Sequence, residues 1–340
     1  MRILIVGNGS IGKRHLSIAR SLFPSSKIKV FQHSTDNIIP ATSNGLIKTL
    51  KEAIDFSPNI AVIANPAPFH IRMALALTEI SAHLLVEKPL SNSINDVELL
   101  IKTCNQLGLK LAVGYNLRFS PSLIEFRRLL NSGIVGKIFS VSCEGGQFLP
   151  SWRPEKDYRN TVSANKSLGG GVLLELSHEI DYLYWIFGEI KWIKATLSKQ
   201  SNLEIDVEDT AILTMGISSS NFDREILCNV NLDFVRHDPT RSCTVIGEHG
   251  TVKWDGLKGN INLFSRSSEI WSEIYSHSPQ RDETYIAEWK NFLSAIDCNN
   301  EPLVTGEDGL KVLHAISAAR ESSLNGTQIY IGTFNKRKDT

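Results

Sequence analysis

Apolar positions in the first 120 residues follow two alternating rhythms. Short, mostly apolar runs at 2–6, 27–31, 60–63, 84–87 and 111–114 read as strands. Between them, apolar residues recur at helical spacing. In 11–22 they are Ile11, Leu16, Ile18, Ala19 and Leu22, and 46–54, 71–78 and 97–107 also read as helices. Strands alternating with helices predict βαβ units around a parallel sheet. Runs without polar interruption fit strands covered on both faces.

The rhythm changes after Arg118. A helix is expected over 121–131. Strand-like runs then follow at 138–145, 192–198, 210–217, 226–235, 243–246, 251–254 and 261–264. Turn signals such as Gly247-Glu248-His249-Gly250 and Gly256-Leu257-Lys258-Gly259 separate some of them. This predicts a largely antiparallel sheet, with helices over 172–187, 285–297 and 306–324. The expected domain boundary lies near residue 120, and 340 residues suit two domains.

Composition narrows the function classes. Lys+Arg and Asp+Glu are 36 each, so the formal charge is zero. No basic excess points to nucleic acid or a membrane surface. No apolar run reaches the ~18 residues that span a bilayer. Four apolar residues precede Gly7, too few for a signal-peptide core, so a cytoplasmic location is expected. Five cysteines without a Cys-x-x-Cys pair are expected to be structural thiols.

The strongest chemical signal is Gly7-Asn8-Gly9-Ser10-Ile11-Gly12, after a strand and opening a helix. Gly7 makes the tight turn, Gly9 lets backbone approach a pyrophosphate, and Gly12 lets helix pack on strand. The pyrophosphate then sits on a helix N-terminus. A Gly-rich turn without a ligand is the competing reading, and the strand–turn–helix context disfavours it. A ribose-binding acid is expected ~20 residues further on. That stretch reads Gln32-His33-Ser34, with no acid before Asp36. These side chains can donate to a phosphate, so NADP is tolerated and the cofactor is NAD or NADP.

Two further clusters fall at strand ends, where parallel sheets bind ligands. Asn65-Pro66 lies after the third long run, with His70 opening a helix in a capping or packing role. Glu87-Lys88-Pro89 ends the fourth. Lys88 there reads equally as a solvated surface cation or as a group in the crevice that would polarise a substrate oxygen or respond to a cationic nicotinamide.

These motifs, with Gly114 to Phe119 and the segment from Gly169 to Asp181, resemble the Gfo/Idh/MocA oxidoreductase family, from Met1 to about residue 325. The resemblance implies an α/β fold. A Rossmann doubly wound parallel sheet fills 1–120. A C-terminal α+β domain with a large open, mostly antiparallel sheet fills 121–340, for substrate binding and oligomerisation. It implies NAD or NADP, held by Gly7 to Gly12, Gln32, His33, Ser34, Asn65, Pro66, His70, Glu87, Lys88 and Asn116. Lys88 matches the family's catalytic lysine and His178 its catalytic histidine. The family commonly spaces an Asp four residues before that histidine, whereas here Glu175 precedes His178 by three.

Glu175, His178 and Asp181 stand at i, i+3 and i+6, loosely one helical face, where a carboxylate tunes an imidazole as general acid–base. A Glu-x-x-His metal site is the rival. One such pair is present without a second, and Tyr182 replaces the second histidine of His-Glu-x-x-His, so no metal is expected. Trp152, Arg153 and Tyr158 precede the Gly run and suit a polyhydroxylated or anionic ligand. The resemblance places that loop beside the substrate, with Tyr115 and Arg118.

The expected reaction is hydride transfer between nicotinamide and a carbinol or carbonyl carbon of a sugar, nucleotide sugar or cyclitol. The alternatives are a reductase of a non-sugar cyclic substrate and a non-catalytic dinucleotide-binding regulator. No nucleic-acid or membrane partner is expected. A homodimer or homotetramer through the C-terminal sheet is.

Overall fold

The structure is a computed structural model describing residues 1–32, 38–218 and 225–332. The chain forms two compact units. Unit 1 comprises Met1–Asn116 and Asp282–Leu313; unit 2 comprises Leu117–Arg281 and the chain from His314 onward.

Unit 1 contains strands β1 (Arg2–Val6), β2 (Lys27–Phe31), β3 (Leu46–Ile47), β4 (Ile60–Ile63), β5 (His83–Val86) and β6 (Leu111–Val113). They pair in parallel in the order β3-β2-β1-β4-β5-β6. Helices α1 (Ser10–Leu22), α2 (Leu50–Phe56), α3 (His70–Thr78) and α4 (Val97–Leu107) connect them. This is a doubly wound sheet whose order reverses beside β1. The inner strands are buried on both faces, from Ile3 to Val6 and from Ile60 to Ile63, which explains their unbroken apolar runs.

The expected helix over 46–54 starts later. Leu46 and Ile47 join the sheet, and α2 begins after Thr49, whose hydroxyl accepts from Glu52 N–H at 3.2 Å. The Glu52 carboxylate accepts from Lys48 N–H at 2.9 Å. This reciprocal cap sets the start against the apolar period.

Unit 2 opens with α5 (Pro121–Asn131), followed by β7 (Ile138–Gly146). Next come α6 (Val172–Glu175), α7 (His178–Phe187), β8 (Glu189–Ser198), β9 (Thr210–Ser218) and β10 (Ile226–Asp233). Then come β11 (Thr240–Gly247), β12 (Gly250–Asp255), β13 (Asn260–Ser265) and β14 (Trp271–Ser276). With β15 (Ile329–Tyr330) they form one sheet in the order β14-β13-β12-β11-β7-β10-β9-β8-β15. Every neighbour is antiparallel except β7 with β10. In β10, Ile226, Cys228, Val230 and Leu232 are buried while Leu227, Asn229 and Asn231 are exposed. The two faces are thus one apolar and packed, one open. Cys143 and Cys243 pair across strands on the packed face, their sulfurs 3.3 Å apart as free thiols. The sequence reading lacks β14, which is exposed at nearly every position and carries no burial period.

The expected helix over 172–187 is two helices. Ser177 N–H bonds Leu174 O and Glu179 N–H bonds Leu176 O, so the ladder tightens to i→i−3 at the joint. Glu175 therefore ends α6 and His178 begins α7. Glu175 and His178 thus lie on different helices, while His178 and Asp181 share the first turn of α7.

Residues 282–313, placed by sequence in the second domain, belong to unit 1. Helix α8 (Glu283–Asp297) buries Trp289 and Phe292 among Ile3, Ile5, Leu16, Ile28 and Val62. Its apolar face completes the core of the parallel-sheet unit. Helix α9 (Gly306–Asn325) begins in unit 1 and ends in unit 2. Among the described residues no helix is long and apolar enough to cross a membrane.

Candidate active site

Unit 1 supplies a cradle. Gly7 has φ +105°, and a Cβ there would lie 2.6 Å from Ala64 O. A Cβ on Gly12 would lie 2.1 Å from Gly7 O. Both glycines are demanded by the chain's own packing. Gly9 is different: a Cβ there meets nothing within 4 Å. It caps α1, whose first turn has neither a side-chain cap nor an acidic residue. Unpaired N–H groups, the positive end of the helix dipole and open space above Gly9 together fit a pyrophosphate.

Asn8 Nδ2 donates to Gln32 Oε1 at 2.7 Å, joining the Gly-rich turn to the end of β2. His33 and Ser34, the other expected contacts there, lie outside the described residues. Ser10 is exposed and Ile11 partly so at the start of α1. Asn65 and Pro66 follow β4, half-buried. His70 is buried, with Nε2 2.6 Å from Asn65 O and Nδ1 3.1 Å from Pro89 O. Its packing role thus ties the loop after β4 to the loop after β5. Burial pushes the His70 pKa down, against the two carbonyl contacts, which favour the protonated ring.

Lys88 follows β5 and is half-buried. Its backbone N–H donates to Glu87 Oε2 at 3.1 Å, and Glu87 Oε1 lies 2.7 Å from His15 Nε2. Tyr115 is fully buried, and Asn116 Nδ2 donates to Thr284 Oγ1 at 2.8 Å.

Unit 2 carries the other candidates. His178, half-buried, is the first residue of α7. One turn on, Asp181 takes both oxygens to Arg118: Nε lies 3.1 and 3.0 Å from them and Nη2 2.7 Å from Oδ1. Arg118 is 3% exposed and Asp181 is 0%. The fork holds α7, and with it His178, against the chain after β6. Glu175 closes α6, whose start is held by Glu208: its carboxylate accepts from Leu173 N–H at 3.2 Å. Burial pushes the Glu208 carboxyl pKa up.

In the loop before the Gly run, Trp152 Nε1 donates to Gln147 O at 3.1 Å and its ring meets Phe234 edge-on. The Tyr158 hydroxyl accepts from Glu204 N–H at 3.2 Å, while Arg153 is exposed. Arg159 pairs with Asp157 at 2.9 Å and Glu204 at 2.7 Å.

Several residues here escape sequence reasoning. Trp289, Glu288 and Thr284 come from a segment more than 150 residues downstream of the turn and loops they meet, and no spacing signals that return. Glu179, fully buried, pairs with Arg241 at 2.7 Å, a contact set by the register of a distant strand.

Comparison with known proteins agrees with this architecture. Residues 1–115 match the model of an oxidoreductase family with an NAD-binding Rossmann fold, and 127–331 match that family's C-terminal alpha/beta domain. The chain is 23% identical to myo-inositol 2-dehydrogenase of Thermotoga maritima, over 95% of this chain and 96% of that protein. A levoglucosan dehydrogenase in complex with NADH and L-sorbose superposes with a TM-score of 0.83 at 17% identity, covering 98% and 100% of the two chains. The WlbA dehydrogenase of Bordetella pertussis, in complex with NADH and UDP-GlcNAcA, gives 0.78 at 19% identity, covering 97% and 98%. With both domains matched over most of its length, the chain belongs to the Gfo/Idh/MocA oxidoreductase family, with an NAD-binding Rossmann domain.

Proposed function

We propose that this protein moves a hydride between a nicotinamide and a carbinol or carbonyl carbon of a sugar, nucleotide sugar or cyclitol. The observation that carries the reading is the uncapped N-terminus of α1 beneath the open position at Gly9. The relatives support the substrate class, since those named above act on or bind inositol, levoglucosan, L-sorbose or a UDP-sugar. The cofactor, NAD or NADP, supplies the hydride acceptor or donor when bound.

The chain's own residues handle binding and protons. Gly7 to Gly12 hold the pyrophosphate, and Gln32 with Asn8 reads the ribose. Asn65, Pro66 and Asn116 line the cofactor. His178 takes the hydroxyl proton in oxidation and returns it in reduction. Lys88 holds and polarises the same oxygen. Trp152, Arg153, Tyr158 and Glu175 contact the substrate. Arg118 acts through Asp181 on the position of His178.

The protein assembles with copies of itself through the open face of its large sheet. Leu227, Ile246 and Trp271 are 46–51% exposed there. The strand registers place them in one cross-strand row with Phe264 and Trp192. Small residues, Gly216, Ser140 and Thr251, stand between them in the row, and large apolar groups recurring along one open face suit a subunit interface.

Turnover of aldoses, nucleotide sugars and cyclitols with each cofactor tests the reading, by following nicotinamide absorbance. The expected result is activity on at least one class. Lys88→Met and His178→Gln should each lower kcat by about 100-fold or more while NADH still binds. NADH binding without turnover on any panel member would favour a non-catalytic role.

A further inference from the structure

We propose that Trp289 and His15 are positioning residues for Lys88, acting through the Glu87 carboxylate. The inference rests on the catalytic reading of Lys88 above, and its parts lie wholly within unit 1.

The chain of contacts is continuous. Trp289 Nε1 lies 2.9 Å from His15 Nδ1. His15 Nε2 lies 2.7 Å from Glu87 Oε1. Glu87 Oε2 accepts the backbone N–H of Lys88 at 3.1 Å. An indole N–H can only donate. Nδ1 of His15 is therefore the acceptor, and the ring carries its hydrogen on Nε2, where it donates to Glu87. Both carboxylate oxygens are then occupied, one by the imidazole and one by the backbone of the residue to be placed.

The surroundings leave little freedom. His15 and Trp289 are 0% exposed and Glu87 is 6%. Water cannot substitute for either bond, and polar contacts strengthen in such a medium. A Cβ on Gly114 would lie 3.0 Å from Glu87 Oε2, so the end of β6 closes on the carboxylate. The far side of Lys88 is held separately, by the His70 contact with Pro89 O. Tyr285 meets the His15 ring edge-on at 5.8 Å, beneath the Arg14 guanidinium.

Glu288, next to Trp289 on α8, places a second carboxyl group by this network. It is buried, and neither oxygen has a hydrogen-bond partner among the described residues. Burial first, then the charge of Glu87, push its pKa well up. The shift favours the neutral acid at Glu288. The N–H donors of the network gather on Glu87.

Losing the Trp289 N–H leaves Nδ1 without its donor in a dry site and removes the bond that fixes the ring's orientation against Glu87. The residue that anchors Lys88 then loses its own support.

Four variants of the full chain, Trp289→Phe, His15→Leu, His15→Gln and Lys88→Met, test the proposal. Trp289→Phe and His15→Leu should lower kcat by about 10- to 100-fold, with NADH affinity and substrate KM within about twofold of wild type. His15→Gln keeps an N–H for Glu87 and should recover most of the loss. Long-range 1H–15N spectra of histidine-labelled protein supply a readout independent of activity. His15 should give an Nε2–H signature that Trp289→Phe alters.

Wild-type kcat in both Trp289→Phe and His15→Leu, with kcat lost in Lys88→Met, overturns the proposal. So does a His15 ring carrying its hydrogen on Nδ1 in the wild type. Full kcat in Lys88→Met overturns the catalytic reading of Lys88 instead, and with it the purpose of the relay, while the ring spectrum still reports the relay's geometry. Should His15→Leu fail to fold, Trp289→Phe, which removes the N–H together with part of the buried ring, is read with the histidine spectrum, and an unaltered His15 signature with wild-type kcat overturns the proposal.

Discussion

Asp181 and Arg118 form a fully desolvated pair, and breaking one partner strands the other's charge. Such a loss costs about 3–5 kcal/mol. Asp181→Leu should therefore lower unfolding stability by about that amount in urea denaturation, and it should also misplace His178. A loss under about 1 kcal/mol would mean that water reaches the pair. Glu288 gives a second prediction with a definite sign. Its folded pKa is raised, whereas the unfolded chain releases the same proton near about 4.3. Between those values the folded state holds the extra proton, so this residue's contribution to stability falls as pH rises. Glu288→Gln removes that slope. Relative to wild type, the variant should gain stability as pH rises above about 4.3. A difference that does not change with pH would show that Glu288 is already ionised.

Helix α1 and its turn separate two uses of glycine. Gly12→Ala drives a Cβ into Gly7 O and should destabilise unit 1 by about 1–3 kcal/mol. Gly9→Ala meets nothing and sits at an ordinary φ of −72°. It should fold with unchanged melting temperature while weakening NADH binding by about tenfold or more. Equal NADH affinity in wild type and Gly9→Ala would remove the cradle from the cofactor site. This turn and the strands beside it were legible because each is local: unbroken apolar runs, a glycine spacing, a helix start. The split between α6 and α7 was not, because it depends on two i→i−3 bonds inside an unbroken apolar period. The same limit applies to the His15–Glu87–Trp289 contacts. Glu87 stands in a recognisable motif and His15 follows the glycine turn, but Trp289 reaches His15 from 274 residues away.

At the scale of the whole molecule, the chain leaves its first unit at residue 116 and returns at 282. Trp289 and Phe292 fill the core that Ile3, Ile5 and Leu16 begin. A fragment of residues 1–116 alone should therefore remain unfolded by circular dichroism, and joining it to 282–313 should restore a cooperative transition. The open face of the large sheet predicts self-association. Leu227→Glu should shift the sedimentation-equilibrium mass toward the monomer without changing the melting temperature by more than a few degrees. Neither result bears on the chemistry as directly as cofactor binding does. The measurement that tests the central claim is a fluorescence titration of the purified protein with NADH and, separately, NADPH. Saturable binding of at least one below ~100 μM is predicted, about −5.5 kcal/mol or better. Their affinity ratio then reports what the turn from Asn8 to Gln32 selects. No binding of either at that concentration would contradict the account, because the open cradle at Gly9 would then hold no dinucleotide.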